Sequence, residues 1–164
     1  MRWSSRRMLA LLVSAALLAH AIPAHANITI SFTNPIANSN FAVGSPIPFG
    51  GGIVLSAPER ITSRVQVDLV HSSTSNPPPG TGTILDRTDA ALEPFVFNPP
   101  PPQAWTTAST TWYHATNPSD LVASQQQGST TGYYLRATPF WKGAFHYMTP
   151  SGWIYTTIAL GQIS

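Results

Sequence analysis

The sequence predicts an all-β protein, an antiparallel sandwich or barrel of about eight or nine short strands. Three observations predict it. The 16 prolines and 11 glycines of the 164-residue chain fall so regularly beyond residue 22 that no long amphipathic helix fits between them. Short runs alternate apolar and polar residues with period two, the signature of strands with one face buried. Turn-forming clusters separate those runs at close intervals, as in antiparallel all-β domains.

The N-terminal segment stands apart from this pattern. Arg2, Arg6 and Arg7 precede an apolar run from Met8 to Ile22, and Ala24-His25-Ala26 follows with small residues suited to signal peptidase. Residues 1–26 are therefore expected to be a signal peptide, with cleavage between Ala26 and Asn27 first and after Ala21 second. The run is short for a membrane span, which takes about 20 apolar residues, so no stable membrane anchor is expected. Ser5-Arg6-Arg7-Met8-Leu9 also resembles a twin-arginine signal, and general secretion is the other route. The expected location is secreted or extracellular, with periplasm and cell wall included.

Export would change the electrostatics. The whole chain carries +2, but residues 27–164 keep five Lys and Arg against six Asp and Glu, which is −1. Nucleic-acid partners need clustered cations to neutralise phosphates, and that support leaves with the leader. The chain has no cysteine. Small secreted domains often rely on disulfides, so here burial must suffice. One domain over residues 27–164 is long enough for that.

The strands can be followed in order. Ile28, Ile30 and Phe32 alternate with Thr29 and Ser31. Ile53 to Ala57 is apolar behind Gly50-Gly51-Gly52. Val65, Val67 and Leu69 alternate with Arg64, Gln66 and Asp68, which predicts one buried and one solvated face. Thr83–Leu85 and Phe95–Phe97 are short candidates, with Asp86, Arg87 and Asp89 in a turn after the first. Thr106–Ala115 is rich in Thr and aromatics, which favour strands. Tyr133, Leu135 and Ala137 alternate with Tyr134, Arg136 and Thr138. Ala144–Met148 and Trp153–Leu160 are joined by Thr149-Pro150-Ser151-Gly152, a hairpin turn. Ser72–Gly82 and the proline run from Asn98 to Gln103 read as surface loops, with linkers as the alternative. Asn117 to Gly128 reads as a loop or short helix, with Asn117 as N-cap and Pro118 in the first turn.

Gly132-Tyr133-Tyr134-Leu135-Arg136-Ala137 resembles strand F of an immunoglobulin-like domain. There a tyrosine two residues before the buried cysteine bonds the backbone at the turn, the tyrosine corner. The resemblance makes Tyr133 that corner, puts Leu135 in the cysteine position and Val65–Leu69 on strand C. Asn34-Pro35, Gly44 and the strand through Ile53 and Leu55 agree in outline. The missing cysteine pair and the missing strand-C tryptophan exclude an antibody-type domain and leave the cysteine-free, fibronectin type III-like members. Trp112, Pro118, Leu121 and Tyr133-Tyr134-Leu135-Arg136 are also similar to an Ig-like module of secreted fungal cell-wall proteins. Residues 154–164 read as a strand, where those proteins continue into a Ser/Thr-rich stalk and a lipid-anchor signal.

No catalytic or cofactor motif emerges. His71, His114 and His146 have no second ligand at metal spacing, so neither metal nor cofactor is expected. Serines with His146 and Asp120 make a triad only on paper, since no Gly-x-Ser-x-Gly elbow marks a nucleophile. The aromatic content is more informative. Alternation turns Tyr134 outward if Tyr133 points in, and puts Trp153 and Tyr155 on one face. Tyr134, Trp141, Trp153 and Tyr155 are the candidate exposed rings for stacking on sugars; filling the core is the other use of such residues. The expected function is a non-catalytic binding or structural module, with cell-wall or extracellular glycan as partner. A protein partner docked on an open sheet edge is the alternative, and a small secreted hydrolase the third. Asn27-Ile28-Thr29 is a sequon, which makes Asn27 a possible glycosylation site in a eukaryote.

Overall fold

The computed structural model describes residues 27–57, 59–115, 120–142, 145–149 and 151–164. Residues 1–26, the expected signal peptide with Ala26, and also Asn117, Pro118, Ala144 and Pro150 lie outside them. Among the described residues all regular structure is β, with no helix. The strands are β1 (Ile28–Asn34), β2 (Gly50–Ser56), β3 (Arg64–His71), β4 (Thr83–Leu92), β5 (Val96–Asn98), β6 (Thr107–Tyr113), β7 (Tyr133–Trp141), β8 (Phe145–His146), β9 (Met148–Thr149), β10 (Gly152–Trp153) and β11 (Thr156–Ala159).

Nine of them form one sheet in the order β1-β2-β6-β4-β3-β7-β11, with β5 on β6 and β8 on β7; β9 and β10 form a separate hairpin. Every pairing of named strands is antiparallel. Strand β4 joins the two halves. Its residues up to Ala90 pair with β3, and then Ala91 and Leu92 pair with Tyr113 and Trp112 of β6. The end strands β1 and β11 also approach each other, so the sheet wraps around one core in a nearly barrel-like way.

Period-two alternation builds that core. Ile28 and Ile30, Ile53 and Leu55, Val65, Val67 and Leu69, and Tyr133, Leu135 and Ala137 turn inward from four strands into one cluster. Each large apolar side chain so buried contributes about 1.5–3 kcal/mol. Trp112 of β6 lays its ring over Gly51 of β2 and against Phe32 of β1. Phe32 meets its ring edge-on with centroids 5.0 Å apart, and its Nε1 donates to the Gly52 carbonyl at 3.3 Å. This explains why β2 begins within the glycine run rather than after it. A Cβ on Gly51 would run into the Ser31 carbonyl and the Trp112 ring.

Four expectations are corrected. The short candidate at Thr83–Leu85 extends to Leu92, and Asp86, Arg87 and Asp89 lie on a strand. Their charges are tolerated there because each has a partner: Asp86 accepts from the Val122 N–H at 2.7 Å, Arg87 reaches Asp68, and Asp89 faces Arg64. Residues 120–128 form no helix. Their backbone is used elsewhere, since Ile47 N–H donates to Leu121 O at 2.7 Å and Ala123 N–H to Ser45 O at 2.8 Å. The expected strand Trp153–Leu160 breaks after Trp153, where Ile154 N–H turns back to the Tyr147 carbonyl at 2.9 Å. Finally, the outward face of β3 is not solvated: Asp68 is as buried as its apolar neighbours.

Gly51→Ala is expected to lower unfolding stability by about 1–3 kcal/mol or more, as overpacking does. Urea denaturation measures it; an unchanged midpoint would show that β1 and Trp112 can yield.

Candidate functional site: an arginine-lined groove beside Trp153

Cross-strand register brings three charged residues into a row. Asp68 of β3 lies opposite Arg136 of β7 on one side and Arg87 of β4 on the other. Arg136 donates from Nη2 and Nε to Asp68 Oδ2 at 2.8 and 3.2 Å. Arg87 donates from Nε to Oδ1 at 2.6 Å and from Nη2 to Oδ2 at 3.2 Å. One carboxylate thus serves two guanidiniums.

The Arg136 and Asp68 side chains are only 1% and 2% exposed. A buried charge is costly unless paired and hydrogen-bonded. The loop between β3 and β4 supplies the rest of the shell. Arg136 Nη1 donates to the carbonyls of Pro78 at 2.7 Å, Thr81 at 3.1 Å and Pro77 at 3.4 Å. The Pro78 carbonyl also accepts from the Thr81 N–H at 3.0 Å and the Thr81 hydroxyl at 2.8 Å, so a tight turn holds the strap around the guanidinium. Gly80 and Gly82, at φ of 87° and 72°, then turn the chain into β4. Arg87 remains about half exposed, and its pKa is raised, chiefly by the hydrogen bond to Asp68.

A stack of rings forms the opposite wall. The Arg64 guanidinium lies 4.3 Å from the Phe140 ring centre, Phe140 is 4.4 Å from His146, and His146 is 4.1 Å from Trp153 with the planes 13° apart. Burial, and then the nearby Arg64, lowers the His146 pKa, so the imidazole favours its neutral form. Tyr147 fixes the hairpin that carries Trp153. Its ring is buried in the core, and its hydroxyl contacts the Thr62 hydroxyl at 3.1 Å and donates to the Arg60 carbonyl. Burial pushes its pKa up to about 12.

Between strap and stack lies a groove of about 330 Å³ that includes Gln66, Asp68, Arg87, Arg136 and Trp153. A neighbouring depression of about 400 Å³ lies between Pro78-Pro79 and Trp153 with Tyr155. Trp153, 38% exposed, borders both.

The four candidate aromatic residues are used differently. Trp153 and Tyr155 meet at the depression beside Pro78-Pro79, but Tyr155 is half-buried rather than exposed, and its hydroxyl donates to the Asn76 carbonyl at 3.3 Å. Trp141 is half-buried rather than exposed: its ring carries the Arg60 guanidinium at 3.7 Å and stacks on Phe145 at 4.8 Å. Tyr134 is also half-buried, in register with Val70 and Ala159, and lines neither depression. Tyr133 is fully buried, donates from its hydroxyl to Ser129 O at 2.8 Å and accepts from the Gln126 N–H at 2.9 Å. Asn27 lies exposed, its N–H donating to Glu59 at 2.9 Å.

The paper triad is not assembled. Asp120 pairs with His114 at 3.0 Å, while His146 stacks between Phe140 and Trp153. His71 Nε2 lies 2.9 Å from the Ser129 hydroxyl and 3.0 Å from the Thr131 carbonyl. Among the described residues no group of three or more His, Asp or Glu is placed to hold a metal ion. Sequence reasoning missed Arg64, Asp68, Arg87 and Arg136 as a unit. The available signal was charge at outward positions of three runs that prove to be adjacent strands.

Compared with protein-family models, curated proteins and solved structures, the chain matches none.

Arg136→Met is expected to cost roughly 3–5 kcal/mol, the usual consequence of removing one partner of a buried ion pair. Chemical denaturation checks it. A loss well under that range would mean that Arg87 alone satisfies Asp68 and that the strap needs no cation beneath it.

Proposed function

We propose that this chain is an exported, immunoglobulin-like β-sandwich that binds extracellular or cell-wall polysaccharide without catalysing a reaction on it. Two observations support the immunoglobulin-like reading. Strand β4 passes from β3 to β6, as a strand shared between two facing layers would. The Tyr133 hydroxyl reaches back to the backbone of Ser129 and Gln126, the geometry a tyrosine corner requires.

The binding reading rests on Trp153. A tryptophan 38% exposed, backed on one face by His146 and bordering a polar groove with Tyr155 nearby, suits an apolar sugar face. Large rings combine contact area with little entropy to lose, which is why they anchor ligands. The polar residues beside it can meet hydroxyl groups. Asp68, held by two guanidiniums, suits a fixed binding floor better than a general acid or base.

Retention of the purified protein on insoluble cell-wall glycan tests the proposal. Trp153→Ala should weaken retention at least about tenfold, as loss of a binding anchor does, while Trp141→Ala, whose ring is engaged within the chain, should weaken it far less. Indifference to glycans together with co-purification of a protein would overturn it in favour of a protein-interaction module. Turnover of an ester or glycoside panel would overturn the non-catalytic part. Export is tested separately: the secreted protein should begin at Asn27 by intact mass, and a retained leader would contradict it.

A further inference from the structure

Residues 27–164 carry a small negative net charge, yet the lining of the groove is positive: Arg64, Arg87 and Arg136 stand against Asp68 alone. Arg136 is committed to Asp68 and to the strap carbonyls. Arg87 and Arg64 are not committed in the same way. Asp68 takes the Nε–Nη2 edge of Arg87, whose side chain is 48% exposed. A guanidinium has five N–H donors, and the edge turned away from Asp68 has the fork geometry that grips a carboxylate or sulfate.

Arg64 lies against the Phe140 ring with its side chain 34% exposed. Among the described residues its one ion pair is with Asp89 at 3.7 Å, beyond hydrogen-bonding distance, and that carboxylate is 54% exposed. Such pairs contribute about 0–1 kcal/mol, so an anion can compete for the arginine at little cost. Among the described residues three buried side-chain nitrogens lack a hydrogen-bond partner: Arg64 Nε and His146 Nδ1, on groove-lining side chains, and His114 Nδ1, which lies outside the groove. The row Arg64–Phe140–His146–Trp153 ties cation and ring together through a cation–π contact, a tilted ring pair and a stacked ring pair.

We infer that the groove selects an anionic saccharide, with a carboxylate or sulfate ester bound by Arg87 and Arg64 while a sugar ring stacks on Trp153. This inference rests on the polysaccharide-binding reading and names its substrate class. A neutral glycan would leave the outer guanidinium edges with only the exposed Asp89 carboxylate nearby, whereas an acidic one supplies a counter-charge in contact. Long-range attraction in this local positive field also makes binding salt-dependent.

Calorimetric titration of the purified protein tests it with four probes: oligogalacturonate, its fully methyl-esterified form, a sulfated gluco-oligosaccharide and the unsulfated parent. At least one acidic probe should bind about tenfold or more tightly than its neutral counterpart, the difference a charge-assisted bidentate contact makes. Which acidic probe does so assigns the anion. Added salt should narrow the gap, Arg87→Gln should remove most of it, and Trp153→Ala should weaken acidic and neutral probes alike. Arg64→Gln serves the same purpose if Arg87→Gln fails to fold. Equal binding of acidic and neutral probes, or a preference that survives both substitutions, overturns the inference but leaves the glycan-binding reading intact. Binding of none of the four by a protein still retained on insoluble glycan overturns the inference alone; loss of that retention as well overturns both.

Discussion

The arrangement depends on one electrostatic constraint, the need to satisfy Arg136 and Asp68 after both are withdrawn from water on the outer face of β3 and β7. Neither charge can stay there alone. Asp68 therefore draws in Arg87 from β4, and Arg136 draws the Pro77–Thr81 strap down across the sheet. A buried pair of this kind adds little net stability, because desolvation offsets much of the attraction. What it supplies is placement. It fixes the strap that forms one wall of the groove, and it orients Arg87 with one edge inward and one outward.

The same constraint explains how far the sequence could be read. Inward alternation was plain in Ile28–Phe32, Val65–Leu69 and Tyr133–Ala137, because period-two burial depends only on local spacing. The outer face was misread because its burial is non-local. Asp68 and Arg136 look like solvated positions until the proline loop that follows β3, remote in the chain from Arg136, closes over them. Strand β4 was cut short for the same reason: Asp86, Arg87 and Asp89 suit a turn unless their partners are known. No helix forms over residues 120–128 because residues 121–123 share their hydrogen bonds with residues 44–47, a choice no local signal reveals.

The aromatic residues divide along similar lines. Trp112 and Tyr133 belong to the core, and Trp141 is engaged by Arg60 and Phe145. Trp153 differs because its hairpin leans on Tyr147 and His146 and leaves part of the ring outward. Count and composition pointed to surplus rings, but only three-dimensional packing tells which one borders a groove. The proposed function accordingly narrows from four rings to Trp153 with Tyr155, and gains arginines that the sequence offered only as scattered charges.

The most direct test is an amide-and-indole NMR titration of the labelled protein with oligogalacturonate, followed at assigned side-chain N–H signals. The Trp153 indole and the Arg87 Nε–H should shift together along one binding curve, while the buried Trp112 indole stays in place. Shifts confined to another surface, for example around Trp105 and Phe97, with Trp153 and Arg87 unmoved at saturation, would contradict the account.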